Sequence, residues 1–332
     1  MGSKAAFLAS LPEQIRNPNN CWVEKLPGVP YSAGYRPSLA AGVTFIILFF
    51  SAYAYHVAIS ITKKRWASIA LAYGAFAELI GWAGRTWAAQ CPYNQHAYLM
   101  QVVTLIIAPL FFTAALYMLL GQLIQIFGPE SSMLSARMYT ITFLSGNFVA
   151  LIIQTVGGAM AASASRRGNS PTAGTNTMIA GIVFQLATMV VFIGLTIDFL
   201  HRLSSSAASL RSIGGVGIGG QGLPKKYYSV FTALCISLVC IIARNLFRAV
   251  ELGGGWRGPL MLHENYFLAF DGFLMVLAVW IFVILDPARI VDENKDLLPP
   301  PASQLHKGSL EVEEGGRSSN EGKGHSVQQN AY

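Results

Sequence analysis

Charge is what this chain has least of. Of its 332 residues only 12% are Asp, Glu, Lys or Arg, while 53% are apolar; a soluble domain averages about 25% charged. With a mean hydropathy of +0.46, that deficit excludes an ordinary soluble fold. The four cysteines and six histidines form no cluster with zinc-ligand spacing, and His-Glu-x-x-His is absent. No nucleophile elbow and no nucleotide-binding loop occur, so the sequence calls for no catalytic residue, no metal and no cofactor. His263-Glu264 is the nearest thing to an acid–base pair, and it has no nucleophile. The net charge of +7 does not point to nucleic acid, because the basic residues cluster in short loops without a binding motif. Processing signals are missing too. The apolar run Ala5 to Leu11 is too short for a signal peptide, Ala6 stands where myristoylation needs Ser or Thr, and there is no prenylation box.

What remains is long apolar runs, and these predict an all-α, polytopic membrane protein with seven transmembrane helices. The spans fall near 38–60, 67–88, 98–127, 138–163, 177–200, 227–250 and 265–286, which makes 38–288 the membrane domain. The breaks are Lys63-Lys64-Arg65, Cys91-Pro92-Tyr93-Asn94, Gly128-Pro129-Glu130, the polar turn Arg166 to Thr175, and Asp286-Pro287; proline cannot continue a helix and restricts the residue before it. Loop charges predict the orientation. With the N-terminus outside and the C-terminus cytoplasmic, the inner loops hold Lys63, Lys64, Arg65, Arg137, Arg202, Arg211, Lys225 and Lys226, and the outer loops only Arg166, Arg167 and Arg257. Residues 1–37 are then an extracellular segment, much of it remote from the membrane.

Two stretches read as unstructured. Residues 204–223, rich in Ser and Gly, predict a flexible cytoplasmic linker. Its Gly215-x-Gly217-x-x-Gly220 matches a dinucleotide fingerprint by accident, because neither strand nor crossover helix surrounds it. Residues 289–332 are polar and rich in Pro, Gly and Ser, and predict a disordered cytoplasmic tail. Cys21 and Cys91 would both face outside, where a disulfide persists and the two can pair; Cys235 and Cys240 lie within the sixth span as packing residues. Trp66, Trp82, Trp87 and Trp256 suit interface positions. His56, Asp198 and His201 fall near cytoplasmic helix ends.

The few charges inside the spans carry the functional signal. A charge at a helix centre costs about 2.5–3.5 kcal/mol on insertion scales, so it is paired, turned inward and functional by default. Arg244, Arg248 and Glu251 fall at i, i+4 and i+7 on one helical face, and Glu264 and Asp271 are seven apart on the next span. Glu78 and Arg85 share a face of the second span. By depth, all seven gather in the outer half of the bundle, three positive and four negative. This arrangement predicts a nearly neutral site facing a cavity among spans two, six and seven, with one spare acid to suit a cationic ligand group. Asn147, Gln154 and Gln185 form a polar line on spans four and five, where helix packing competes with a ligand role. Pro109 interrupts span three, frees a carbonyl and predicts a kink or hinge.

These motifs resemble the fungal lipid-translocating exporters, seven-span proteins of aminocholesterol resistance, sphingoid long-chain base release and porphyrin uptake. The matching pieces are Glu78-x-x-Gly81-x-x-x-Arg85, Ala108-Pro109-x-x-x-x-Ala114-Ala115-x-Tyr117, Gln154-x-x-Gly157-Gly158, Gly181-x-x-x-Gln185, Arg244-x-x-x-Arg248-x-x-Glu251 and Glu264-x-x-x-x-x-x-Asp271. They run from about Tyr35 to Arg289. Asn147 departs from the family, which commonly shows Asp there. The resemblance implies transport of lipids or amphiphiles such as sphingoid bases, with a role in lipid asymmetry and in drug or stress resistance at the plasma membrane. A seven-helix receptor or sensor of membrane lipid is the alternative, porphyrin transport a third reading and a membrane enzyme a distant fourth.

Overall fold

The computed structural model describes residues 21–25, 31–127, 136–167, 169–212, 225–255 and 258–286. Every regular element among them is helical. We number the helices α1 (Leu39–Lys63), α2 (Trp66–Gln90), α3 (Gln95–Phe127), α4 (Ala136–Arg166), α5 (Thr172–Ser212), α6 (Lys225–Gly253), the single turn α7 (Pro259–Leu262) and α8 (Glu264–Leu285). All but α7 are long and apolar enough to cross a membrane. At 1.5 Å per residue the shortest of them, α8, reaches roughly 33 Å, against a hydrocarbon core of about 30 Å. The seven-span, all-α, multi-pass architecture expected from the apolar runs is the one observed.

The helices end where the chain supplies caps. Ser38 Oγ accepts from Ala41 N at the start of α1, and Lys64 closes that helix with a left-handed φ of 51°. Asn94 Oδ1 accepts from the amides of His96 and Ala97, which turns the Cys91–Asn94 break into the cap of α3. Asp286 stops α8 at φ 35°, just before Pro287. One boundary differs from expectation. Residues 204–212 continue α5 instead of beginning a linker, since Ala207-Ala208 and Leu210-Arg211 are strong helix formers that outweigh five serines. The glycine fingerprint, the Gly128-Pro129-Glu130 break, Trp256 and the tail lie outside the described residues.

Each spanning helix packs on its neighbour in sequence, and α8 returns to α1 and α6, so the bundle closes on itself. Helix α3 runs through the middle and also touches α6 and α8; its Leu105, Phe112, Leu116, Tyr117, Leu120 and Leu123 are essentially unexposed. The outer faces of α4 and α5 stay apolar and open, with Phe148, Ile152 and Val156 on one and Val190, Val191 and Ile197 on the other, as lipid contact requires. We name the two ends of the bundle by residues found there, the Cys91 end and the Arg65 end.

The N-terminal segment is not remote from the bundle throughout. Cys21 and Cys91 form a disulfide with Cα atoms 4.6 Å apart. Ser32 N donates to Pro92 O, and Arg36 Nε donates to Ala89 O at the end of α2, both at 3.0 Å. Those carbonyls have no partner within the helix, so a passing donor is retained there.

Candidate functional site

The charged residues of α2, α6 and α8 do come together, and their pairing is specific. Arg248 Nε and Nη2 grip the two oxygens of Asp271 at 2.9 and 2.6 Å, a forked contact, while Nη1 reaches Glu251 Oε2 at 2.9 Å. Arg244 Nε shares Asp271 Oδ1 at 2.8 Å. All four side chains are at most 6% exposed, and two arginines against two acids leave this group neutral. Such pairing is what burial demands, because a lone buried ion is costly.

Pro109 frees a backbone carbonyl at this same place. Proline has no amide hydrogen, so the carbonyl four residues earlier, Leu105 O, loses its helical partner. Arg244 Nη2 donates to that oxygen. The helix continues from Gln95 to Phe127 across the proline, because a guanidinium from α6 replaces the missing donor. Its third donor, Nη1, goes to Asn245 Oδ1 at 3.3 Å.

Arg85 belongs to a second group. It does not pair with Glu78 along its own helix; Nη2 reaches Glu264 Oε1 at 2.7 Å and Tyr35 Oη at 2.9 Å. The same Glu264 oxygen accepts from Ser38 N at 2.8 Å, so one carboxylate fastens the starts of α1 and α8 to the end of α2. Burial pushes the Tyr35 phenol above its ordinary pKa while Arg85 pulls it down. Phe267 lies between the two groups, with Arg85 4.3 Å and Arg248 5.0 Å from its ring centre, a cation–π arrangement on both sides. At the other end of the same two helices, Arg65 Nη1 meets Asp286 Oδ1 at 2.9 Å. Helices α2 and α8 are thus pinned at both ends, about 30 Å apart along α2.

Glu78 is left over. It is wholly buried, Trp82 Nε1 donates to Oε2 at 3.2 Å, and Oε1 has no partner among the described residues. The one-acid excess counted in the sequence therefore resides in a single residue. Trp82 itself is 0% exposed, against the interface position expected of it, because its indole serves Glu78 and its ring stacks on Phe45 at 4.1 Å. Opposite lies a turn of π-helix, Leu268–Phe273, which holds Asp271 and Gly272. A Cβ on Gly272 would stand 2.6 Å from Phe45 and 2.8 Å from Trp82, so only glycine admits this approach. Single π turns inside α-helices occur often at functional sites.

The polar line of α4 and α5 sits apart. Gln154 Nε2 donates to Gln185 Oε1 at 3.0 Å, and Asn147 Nδ2 donates to Leu110 O and Thr113 Oγ1, both at 2.7 Å. Among the described residues none of these amides bonds to the charged layer. The departure at Asn147 has a chemical reading, since both its bonds use an amide donor that an ionised aspartate lacks. His56 is 2% exposed rather than interfacial, near Ser68 and Asp286 in a small pocket at the Arg65 end. Asp198 pairs with Arg202 one turn on, at 2.8 Å. Cys240 is buried and Cys235 faces outward. Sequence reasoning missed Tyr35, Ser38, Phe267 and Asn245. None of these carries a charge to flag it, and only the fold brings them to the arginines.

Residues 71–294 match the family described as RTA1 like protein, which includes all seven charges and all three amide positions. The chain belongs to the RTA1-like family. It is 30% identical over 277 residues to the sphingoid long-chain base transporter RSB1 of Saccharomyces cerevisiae, covering 76% of this chain and 72% of that protein. Protein RTA1 of the same yeast is 28% identical over 280 residues, with coverage of 76% and 84%. Protein RTM1 is 31% identical over 219 residues, with coverage of 66% of each chain. No solved structure matches this RTA1-like chain.

Proposed function

We infer that this protein is a membrane transporter of single-chain amphiphiles of the sphingoid-base kind, acting at the plasma membrane and bearing on lipid asymmetry and drug resistance. The observation that carries the reading is the ion-bonded layer joining α2, α6 and α8 at membrane depth, in a chain related to a named long-chain base transporter. Ions so placed are expensive and mark substrate or ion pathways. In the reading proposed, the N-terminus and the Cys91 end face outward. Arg85–Glu264 closes the outer mouth and Arg65–Asp286 the inner one. Breaking one pair at a time opens α2 from α8 on alternate sides. Of the four acids, Asp271, Glu251 and Glu264 are already held by arginines, so a substrate amine meets the layer by exchanging with one of them. Pro109, supported by Arg244 instead of its own helix, serves as the hinge, while Asn147, Gln154 and Gln185 keep α4 and α5 in place beside the path.

The test is reconstitution of the purified protein into vesicles with a labelled long-chain base. Protein-dependent flux that falls on Asp271→Asn and Glu78→Gln is expected. Unchanged flux in both variants removes the residue assignment. Absence of flux with retained binding favours a lipid sensor in place of a transporter.

A further inference from the structure

We propose that Glu78 is a proton-binding site, occupied in the closed bundle, whose exchange with water accompanies the opening of the layer. Three observations place it there. The side chain is 0% exposed and Oε1 is without a partner among the described residues. The remaining six charges of the layer are matched among themselves, Arg85 with Glu264 and the two α6 arginines with Asp271 and Glu251, so an ionised Glu78 would leave the layer one negative charge out of balance. The bond it accepts among the described residues is from a neutral donor, Trp82 Nε1, to the other oxygen at 3.2 Å, longer than a charge-assisted bond and one that the carbonyl oxygen of a neutral carboxylic acid can accept. A proton on Oε1 restores neutrality and adds almost no volume in a site where Phe45, Trp82 and Gly272 are already in close contact.

The charged groups acting on Glu78 are Asp271 of α8 and Arg244 and Arg248 of α6. Helices α1 and α3 bring acidic or basic side chains only towards their ends, His56, Lys63 and His96. Loss of the proton turns the carboxylic acid into a carboxylate and passes H⁺ to water admitted from an opened mouth. The carboxylate then competes with Asp271 for Arg244, whose Nη1 is committed only to the neutral Asn245 oxygen. If Arg244 turns, Leu105 O loses its donor at the Pro109 break, so the proton state of Glu78 reaches the weak point of α3. This use of the proton rests on the transport reading; the site itself does not.

The site is tested on the full chain in lipid nanodiscs by infrared difference spectroscopy. At neutral pH a neutral-acid carbonyl band, shifted in D₂O, is expected in the wild type and in Glu264→Gln and absent in Glu78→Gln, which keeps the size and the Trp82 bond. An identical band in wild type and Glu78→Gln overturns the proposal. The wild type gives a second reading that needs no variant. Dicyclohexylcarbodiimide, an apolar reagent that attacks protonated carboxyls, is expected to label Glu78 by mass spectrometry, with severalfold lower yield at alkaline pH. Preferential labelling of Glu251, Glu264 or Asp271 overturns the assignment. In vesicles, a pH gradient is expected to change long-chain base flux severalfold in the wild type and not in Glu78→Gln. A wild type with the Glu78 band but no flux leaves the proton site standing and removes the transport reading.

Discussion

Where α2, α6 and α8 meet, full charges reach across the space between helices; where α4 meets α5, hardly any space exists. In the first region Arg248, Arg244 and Asp271 hold three elements with long side chains. In the second, Gly157 and Gly174 let backbone meet backbone. A Cβ on Gly157 would stand 2.5 Å from Met178 N and 2.8 Å from Gly174 O, and one on Gly174 would meet Ala161 N. Small residues give close, shape-determined contact and a fixed pair. Long ion-paired side chains can exchange partners without parting the helices. The difference divides the bundle into a part built to stay and a part able to rearrange, and the leftover acid, the π turn and the proline all lie in the part able to rearrange.

Mutations can sharpen or break that division. Asp271→Asn has the largest expected effect. It leaves two buried arginines with one buried acid, a loss of about 3–5 kcal/mol by analogy with broken buried pairs. The unfolding midpoint in detergent should drop further than for any change in the α4–α5 pair; an unshifted midpoint would show that the layer is solvated. Next comes Gly174→Leu, which forces the two helices apart and should cost about 1–3 kcal/mol, as overpacking does. Unlike Asp271→Asn, it should leave the Glu78 infrared band in place. If it abolishes the band, the two regions are not separable.

Smaller effects compare the two ends of α2 and α8. A double-mutant cycle on Arg85 and Glu264 should give a larger coupling than one on Arg65 and Asp286, for which about 0.2–1 kcal/mol is expected, as for water-accessible pairs. The first pair is somewhat less exposed, at 1% and 21% against 6% and 27%, and its carboxylate also accepts from Ser38 N; equal couplings would contradict the distinction between the two mouths. Smallest is Gln154→Leu, about 0.6 kcal/mol, the average for interhelical hydrogen bonds in membranes; adding Gln185→Leu should recover part of the loss by removing the amide left without its partner. A large effect from that single change would mean the amides do more than pack.

Much of this was legible in one dimension. Span number, the breaks at Cys91–Asn94 and Asp286-Pro287 and the membership of the charged layer all follow from local rules, since hydropathy and helical spacing act over a few residues. Partner choice was not legible. Glu78 and Arg85 share a face seven residues apart, yet Arg85 turns to Glu264 and Glu78 to Trp82. A guanidinium reaches whichever acid the neighbouring helix sets at its level, and that level depends on how helices 179 residues apart come to lie together. Trp82 misled for a related reason. Tryptophan is common at interfaces, but here an acid one turn away on the same helix claims its N–H. The 204–212 extension of α5 escaped notice because serines suggest a linker while the alanines between them propagate a helix.

The sequence by itself determined that this chain is a seven-helix membrane protein, that three arginines and four acids must be reconciled inside it, and that one backbone carbonyl near Pro109 would want a donor. Those are properties of transfer free energy and covalent structure, and need no neighbours to be stated. Tertiary structure alone decided which acid stays unmatched, that Arg244 is the missing donor for Leu105, and that the close contacts of Gly157 and Gly174 set α4 and α5 apart from the charged layer. Each of these is settled by distances of a few ångströms between helices, and over such distances ion pairing and steric contact change from negligible to decisive.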